Sequence, residues 1–234
     1  MPRFHEAEDE YHFVTPALSD TTTSPTGSDS LTGSVGNDSL TAPTGNDTLS
    51  GPGDDLSGND TLSGGNDTLS GGDDQDGNDS LTAGGNDSVT GDTGNDSLTA
   101  GTGNDSLTHH DDHDHHLLTG TAGNDVFVVE DSAARNPQSV FHIVDFTSGQ
   151  DQIVFGEDLG TVTAGNFATE TADSYSAAFA LARADIATGA ANVVAVQVGA
   201  DVVVFADTHD DNHVSGAVVL VGKTLTDIAP GDII

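Results

Sequence analysis

The sequence predicts an all-β protein: a solenoid of short strands, two to a coil, leading into a β-rich C-terminal domain with one short helix. Three observations predict it. A nine-residue unit built on Gly-(Asn/Ser)-Asp recurs through the first half of the chain. Leu is almost the only large apolar residue there, and Leu40, Leu49, Leu98 and Leu107 keep a fixed register with the aspartates. From Val126 onward the pattern changes to Val, Phe, Ile and Ala, as in a compact domain.

Composition sets the function classes. Among 234 residues, 39 are acidic and only 4 are basic (Arg3, Arg135, Arg183 and Lys223), a formal net charge of -35. That balance leaves no basic footprint for nucleic acid and would be repelled by anionic membranes. Such a surplus either keeps a chain disordered or is neutralised by bound cations. Apolar residues make up 34% of the chain and aromatics 5%, so a large conventional core along the whole length is not expected. There is no cysteine, hence neither a disulfide framework nor a thiolate metal site. The N-terminus MPRFHEAEDEYHFV has no apolar signal-peptide core, and no 18-residue apolar run suggests a transmembrane helix. Export, if it occurs, is expected to use no N-terminal secretion signal.

Residues 1–25 read as a flexible acidic tail, 26–125 as the repeat solenoid, and 126–234 as a capping domain. Within the repeats, Asp29, Asp38 and Asp47 lie nine apart, as do Asp87, Asp96 and Asp105. The units read SPTGSDSLT, GSVGNDSLT, APTGNDTLS, GDTGNDSLT and AGTGNDSLT. Leu between two hydroxyl residues gives a three-residue strand with one side chain inward and two outward. The other six residues form a turn, where Gly supplies positive φ and Asn or Asp can bond the local backbone. Two units make one coil, so residues 18 apart should stack at roughly 4.8 Å. Asp29 is then expected over Asp47 and Asp87 over Asp105, with Asp38 and Asp96 on the opposite edge. Between 51 and 84 the period breaks: Asp60 and Asp67 are seven apart, Asp67 and Asp79 twelve, and GPGDDLS looks like a shortened unit. Units of seven residues are expected not to stack in the same geometry.

Stacked carboxylates roughly 5 Å apart are strongly unfavourable without counter-charge in a partly dry turn. A hard cation removes that cost. Calcium takes six to eight oxygens, which aspartates and turn carbonyls supply, and flexible turns suit it better than octahedral magnesium. The repeat triplets contain no His or Cys, which disfavours zinc and copper there.

The GNDSLT and GNDTLS units resemble the hemolysin-type calcium-binding nonapeptide repeats of RTX proteins. That resemblance implies a parallel β-roll, with calcium held by turn aspartates between successive coils. Carried onto this sequence, it makes calcium ligands of Asp29, Asp38, Asp47, Asp87, Asp96 and Asp105, and also of Asp60, Asp67, Asp79 and Asp125. Few apolar residues per coil cannot offset ordering entropy of roughly 1–2 kcal/mol per residue, so folding should be linked to calcium. Sites of 10⁻⁴–10⁻³ M affinity, typical of extracellular modules, would be empty in cytosol and filled outside.

The C-terminal half reads as strands over Asp125–Val129, Val140–Phe146, Gln152–Phe155, Asn192–Val198, Asp201–Phe205 and Ala217–Val221. Ala-rich Ser174–Ile186 suits a helix. GTAGNDVFVV, IVDFTSGQDQIVF and the terminal Asp232-Ile233-Ile234 resemble the secretion domains of type I exported proteins, including those after the repeats in serralysin-like proteases. The later part resembles bluetail-type domains of surface proteins. These resemblances imply an ABC transporter, a periplasmic adaptor and an outer-membrane tunnel protein of a Gram-negative cell as partners.

Other groups weigh less. His109, His110, His113, His115 and His116, interleaved with Asp111, Asp112 and Asp114, could hold a transition metal, or form an exposed loop at 109–116 that replaces one repeat turn. Asp114 falls nine residues after Asp105, which fits a run that replaces one repeat's turn. The stretch from Asp207 to His213 lacks the EF-hand ligand pattern and reads as a hairpin turn. No nucleophile elbow, phosphate loop or H-E-x-x-H motif occurs, so no catalytic residue is expected. The function classes left are a calcium-bound structural or surface protein, an adhesin-like module binding polysaccharide, a cell surface or ice through outward Ser/Thr rows, and a disordered acidic cation buffer.

Overall fold

The computed structural model describes residues 12–14, 21–23, 27–33, 36–51, 59–71, 77–91, 94–109, 115–129, 140–156, 159–209 and 212–234. The chain forms a parallel β-roll. Its first strands are β1 (His12–Val14), β2 (Thr21–Thr23), β3 (Ser30–Thr32), β4 (Ser39–Ala42) and β5 (Thr48–Ser50). Next come β6 (Thr61–Gly64), β7 (Thr68–Ser70), β8 (Ser80–Thr82), β9 (Ser88–Gly91) and β10 (Ser97–Thr99). The roll ends with β11 (Ser106–His109), β12 (Leu117–Thr119), β13 (Val126–Val129), β14 (Phe141–Ile143) and β15 (Gln152–Phe155). Odd-numbered strands from β1 to β15 make one sheet of eight, and even-numbered strands from β2 to β14 run down the facing sheet. Every pairing within the roll is parallel and in register, for instance Leu49↔Leu69 and Leu62↔Leu81.

The mechanism of the register is visible from β3 to β10. The burial pattern alternates around one inward residue, as in Thr48–Ser50 and Ser97–Thr99. Leu31, Leu49, Leu69, Val89 and Leu107 line one sheet, and Leu40, Leu62, Leu81, Leu98 and Leu118 the other, all buried in one continuous core. Hydroxyl residues on either side stay at the surface, so both faces carry aligned Ser/Thr rows such as Ser39↔Thr61 and Thr41↔Ser63. Toward the C-terminal end the core residues grow to Phe127, Phe141, Phe146 and Phe155.

The roll extends past both expected limits. β1 pairs with β3 and β2 with β4, within the segment 1–25 expected to be a tail. At the other end β14 and β15 add a further coil beyond 125. The irregular repeats also stack, contrary to expectation. β6 and β7 follow the seven-residue spacing, yet β6 pairs with β4 and β8 while β7 pairs with β5 and β9. Each strand needs only an Asp-x-Leu register, so a short half-coil is tolerated when the turns around it lengthen. GPGDDLS lies almost wholly outside the described residues.

The cap grows from the even sheet. β16 (Phe167–Ala172) leads through α1 (Tyr175–Ala187) to β17 (Val193–Val198), paired in parallel with β16. β17, β18 (Asp201–Ala206) and β19 (Gly216–Leu220) form an antiparallel meander, and β19 joins β14 in parallel. The expected C-terminal strands and helix are present within two residues or so at most ends, β14 being shorter than expected; β16, with its polar Thr-Glu-Thr centre, was not expected. Ser174 caps α1, its hydroxyl accepting from Ala177 N at 3.3 Å. The helix packs Ala178, Ala182 and Ile186 over the outer face of the meander, against Val194, Val196 and Phe205, as a second core. The last residues return to the roll: Ile233 bridges Ile153, and Ile234 N donates to Ile153 O at 3.0 Å.

Candidate metal centre

The aspartate that precedes each strand is buried. Asp29, Asp38, Asp47, Asp60, Asp67, Asp79, Asp87, Asp96, Asp105 and Asp125 are each 1–5% exposed. Strand alternation sorts them into two rows along opposite edges of the roll. On the first edge, Asp29 N donates to Asp47 Oδ1 (2.7 Å), Asp47 N to Asp67 Oδ1 (2.8 Å) and Asp67 N to Asp87 Oδ1 (2.5 Å). The row continues from Asp87 N to Asp105 Oδ1 (2.8 Å) and from Asp105 N to Asp125 Oδ1 (3.1 Å). On the second edge, Asp38 N donates to Asp60 Oδ1 (2.8 Å), Asp60 N to Asp79 Oδ1 (2.8 Å) and Asp79 N to Asp96 Oδ1 (2.9 Å). The expected stacks of Asp29 on Asp47 and Asp87 on Asp105 are therefore present, with Asp38 and Asp96 opposite. Sequence separations within a row run from 17 to 22, so the turn lengths vary while the contact does not.

A residue that sequence reasoning passed over extends the first row. Asp125 N donates to Asp151 Oδ1 at 3.1 Å, and Asp151 also accepts from Thr147 N through Oδ2 at 2.7 Å. The signal was present: Gly149-Gln-Asp-Gln-Ile153 repeats the Gly-x-Asp-x-apolar order of the units. On the second edge the residue after Asp96 is His116, whose Nδ1 lies 3.5 Å from Asp96 N. Asp114 lies outside the described residues with His110 and His113. The strand β12 needs Leu118 inward, and counting back from it places His116 in the aspartate position.

Beside each aspartate row runs a row of asparagines with the opposite polarity. Asn86 N donates to Asn66 Oδ1 (3.0 Å), Asn104 N to Asn86 Oδ1 (2.9 Å) and Asn124 N to Asn104 Oδ1 (2.9 Å). The two rows pin each turn to the coil before it and the coil after it. Glycine is required where those turns touch. At Gly45, with φ +135°, a Cβ would sit 1.6 Å from Gly27 O. At Gly71 it would lie 2.2 Å from Asp79 Oδ2, filling the space beside that carboxylate.

Burial dominates the electrostatics of the first row. It pushes the carboxyls of Asp67 and Asp105 up to about 6; the accepted backbone N–H groups of Asp47 and Asp87 counter it, and neighbouring carboxylates add to it. Asp47, Asp125 and Asp151 are raised for the same leading reason. Asp47 Oδ2 and Asp105 Oδ2 are buried with no hydrogen-bond partner. Oxygens with spare lone pairs, anionic and aligned along an edge of turn carbonyls, are the donor set of a hard divalent cation. Calcium fits these residues.

The histidines separate. His115 and His116 border a junction with β14, where His115 stacks on His142 with ring centroids 4.2 Å apart, and His116 packs on Phe141 at 5.4 Å. Burial, and then the neighbouring His115, hold the His142 imidazole below its ordinary value. Among the described residues no group of three or more His, Cys, Asp or Glu could hold a metal ion; the side chain of His109, like His110 and His113, lies outside them. The Asp207 segment joins β18 to β19, and Asp207 Oδ2 accepts from Asn212 N at 2.8 Å, as a turn. Asp232 is buried, accepting from Ser148 Oγ (2.6 Å), Gly149 N (2.9 Å) and Ala229 N (2.8 Å).

Two edges of buried aspartates on a parallel roll define a calcium-binding β-roll protein. Residues 26–55 and 81–115 match the model of the RTX calcium-binding nonapeptide repeat, in four copies, so the chain carries RTX repeats and calcium is the ion such repeats bind. Comparison with curated proteins returns no match. Among solved structures, the chain is similar to the crystal structure of extracellular lipase LipA from Serratia marcescens, at 15% identity and a TM-score of 0.31. The match covers 89% of this chain and 38% of that one, so the present chain spans well under half of the lipase's length. No helix among the described residues is long and apolar enough to cross a membrane.

Proposed function

We propose that this chain is an exported extracellular protein that folds on calcium and serves a structural or surface-associated role, with no catalytic step of its own. The ligands in this reading are Asp29, Asp47, Asp67, Asp87, Asp105 and Asp125 on one edge and Asp38, Asp60, Asp79 and Asp96 on the other. Asp151 joins the first set. The observation that carries it is the pair of buried carboxylate rows in a protein of net charge -35. Their mutual repulsion and desolvation oppose stacking of the coils until a divalent cation offsets both. Folding and ion binding then become one equilibrium.

Export by a type I system, through an ABC transporter, an adaptor and an outer-membrane tunnel, suits a chain kept unfolded where calcium is scarce. Asp232, Ile233 and Ile234 are the proposed secretion signal. Asp232 and Ile233 are buried against the last coil, so the signal would be read before folding and hidden after it. Within residues 126–234, β16 to β19 and α1 act in this reading as the cap that closes the roll's apolar end.

The test is far-UV circular dichroism during calcium titration, with magnesium as control. A coil-to-β transition at roughly 10⁻⁴–10⁻³ M calcium, absent with magnesium, is the expected result. No change up to several millimolar would overturn the reading. A second reading, adhesion to a polysaccharide, a cell surface or ice, is favoured by one observation: the flat hydroxyl rows, such as Thr32↔Ser50↔Ser70, repeat in register from coil to coil. Retention of the calcium-loaded chain on such a ligand, lost on replacing one row by lysine, would support it. The stacked coils speak against a disordered cation buffer.

A further inference from the structure

The two carboxylate rows do not end alike. On the first edge the register positions run Asp87, Asp105, Asp125 and Asp151, carboxylates to the last coil of the roll. On the second edge strand pairing aligns Ser97 with Leu117 and Leu117 with His142, so the residues just before them, Asp96, His116 and Phe141, occupy successive register positions. The backbone ladder continues unbroken: Leu117 N donates to Asp96 O at 3.0 Å and His142 N to His116 O at 2.9 Å. Only the side chains change, from carboxylate to imidazole to phenyl.

We propose that His116 stops the second calcium row, so that the interval between Asp96 and His116 takes no calcium ion and the two edges load unequal numbers. This rests on the reading of the aspartates as calcium ligands. Each interval within a row brings two carboxylates together, one from each coil. Here the upper one is replaced by an imidazole ring, whose Nδ1 faces the Asp96 amide at 3.5 Å. Imidazole supplies neither the negative charge nor the paired oxygens that calcium requires. The ring is 1% exposed and packs on Phe141, which leaves no carboxylate at the next position. His115, stacked on His142, closes the outer side of the same junction. The substitution falls where the even sheet leaves the roll and joins the cap: Phe141 pairs with Val218 of β19. A carboxylate there would be buried against a phenyl ring with no second carboxylate above it to share an ion. An imidazole nitrogen faces the Asp96 amide there in place of a carboxylate.

The experiment counts calcium ions bound per full-length chain at saturation, by equilibrium dialysis with labelled calcium and by native mass spectrometry. His116→Asp is expected to bind one ion more than the unaltered chain, and His116→Asn, which keeps an uncharged acceptor, the same number. An unchanged count in a His116→Asp chain with the wild-type dichroism spectrum would overturn the proposal. Should that variant fail to fold, Asp105→His carries the imidazole to the first edge and is expected to lose at least one ion; an equal count there would overturn it too. A wild-type chain that binds no calcium would sink the calcium reading itself, an outcome distinct from an unchanged count.

Discussion

Each ladder aspartate is asked to do two opposed things. From Asp47 on one edge and Asp60 on the other, Oδ1 satisfies a backbone amide of the preceding coil, while the charge is desolvated beside others of the same sign. Asp105→Asn separates the two roles, because the amide oxygen still accepts from Asp87 N while the charge is gone. Without calcium this variant is expected to be as stable as the parent or more so. With calcium it should need on the order of tenfold more ion to fold, and urea melts in chelator and in calcium check both arms. Acidity tests the same balance. Asp67 and Asp105 have folded values of about 6 against an ordinary 3.8, so in chelator each contributes stability that is fully present below about 3.8 and lost as pH rises through about 6. Calcium reverses that trend, since it binds only the ionised form. Melting curves from pH 4 to 7 should therefore slope in opposite directions with and without calcium. At Gly45, replacement by Ala forces a Cβ onto Gly27 O and asks for a φ of +135°, and should cost about 1–3 kcal/mol in the calcium-bound state.

At the scale of elements, the roll's strands are too short to hold themselves. Three residues with one inward Leu make a strand only because identical strands lie above and below it. Leu98 is fully buried between Leu81 and Leu118 of β8 and β12. Leu98→Ala should cost about 2–5 kcal/mol. Where folding and binding are one equilibrium, the same loss appears as a higher calcium midpoint in a dichroism titration. α1 belongs to a different core, and its Ser174 cap is exposed. Ser174→Ala should cost about 1 kcal/mol in the cap and leave the calcium midpoint where it is. A shift of that midpoint would mean that cap and roll melt as a single unit.

For the whole molecule, the net charge of -35 and the continuous core from Leu31 to Phe155 pull in opposite directions. Monovalent salt only screens the repulsion, whereas calcium both screens and bridges, so sodium chloride at equal ionic strength should not replace calcium in the folding titration. The C-terminus reports the global state. Ile233 is 2% exposed and Ile234 is hydrogen-bonded to Ile153, so carboxypeptidase should release the terminal residues rapidly in chelator and slowly in calcium. Equal rates in both conditions would contradict the coupling of the terminus to calcium-dependent folding.

The nine-residue spacing determined the strand, the turn and the inward Leu, because each is a local consequence of a few residues: Gly where φ is positive, Asp before the strand, apolar at one position in the unit. It also determined the two opposite edges, since alternation of half-coils is a matter of counting. Counting failed where the turns changed length. From Asp60 to Asp79 and from Asp105 to His116 the separation departs from nine, and only the pairing of Leu62, Leu81 and Leu118 shows which residue holds the aspartate position. A parallel sheet aligns strands and is indifferent to the length of the turn between them. Asp151 was legible as Gly-x-Asp-x-Ile yet lay among Val and Phe that read as another domain. The polar centre of β16 carried no strand signal because its partner β17 and the covering helix α1, not its own alternation, hold it in place. Tertiary structure alone decided these things: the register of each row, the return of Ile233 to the roll, and the meeting of Asp96, His116 and Phe141 at one edge. All of them depend on contacts between residues far apart in the chain, whose geometry no local spacing encodes.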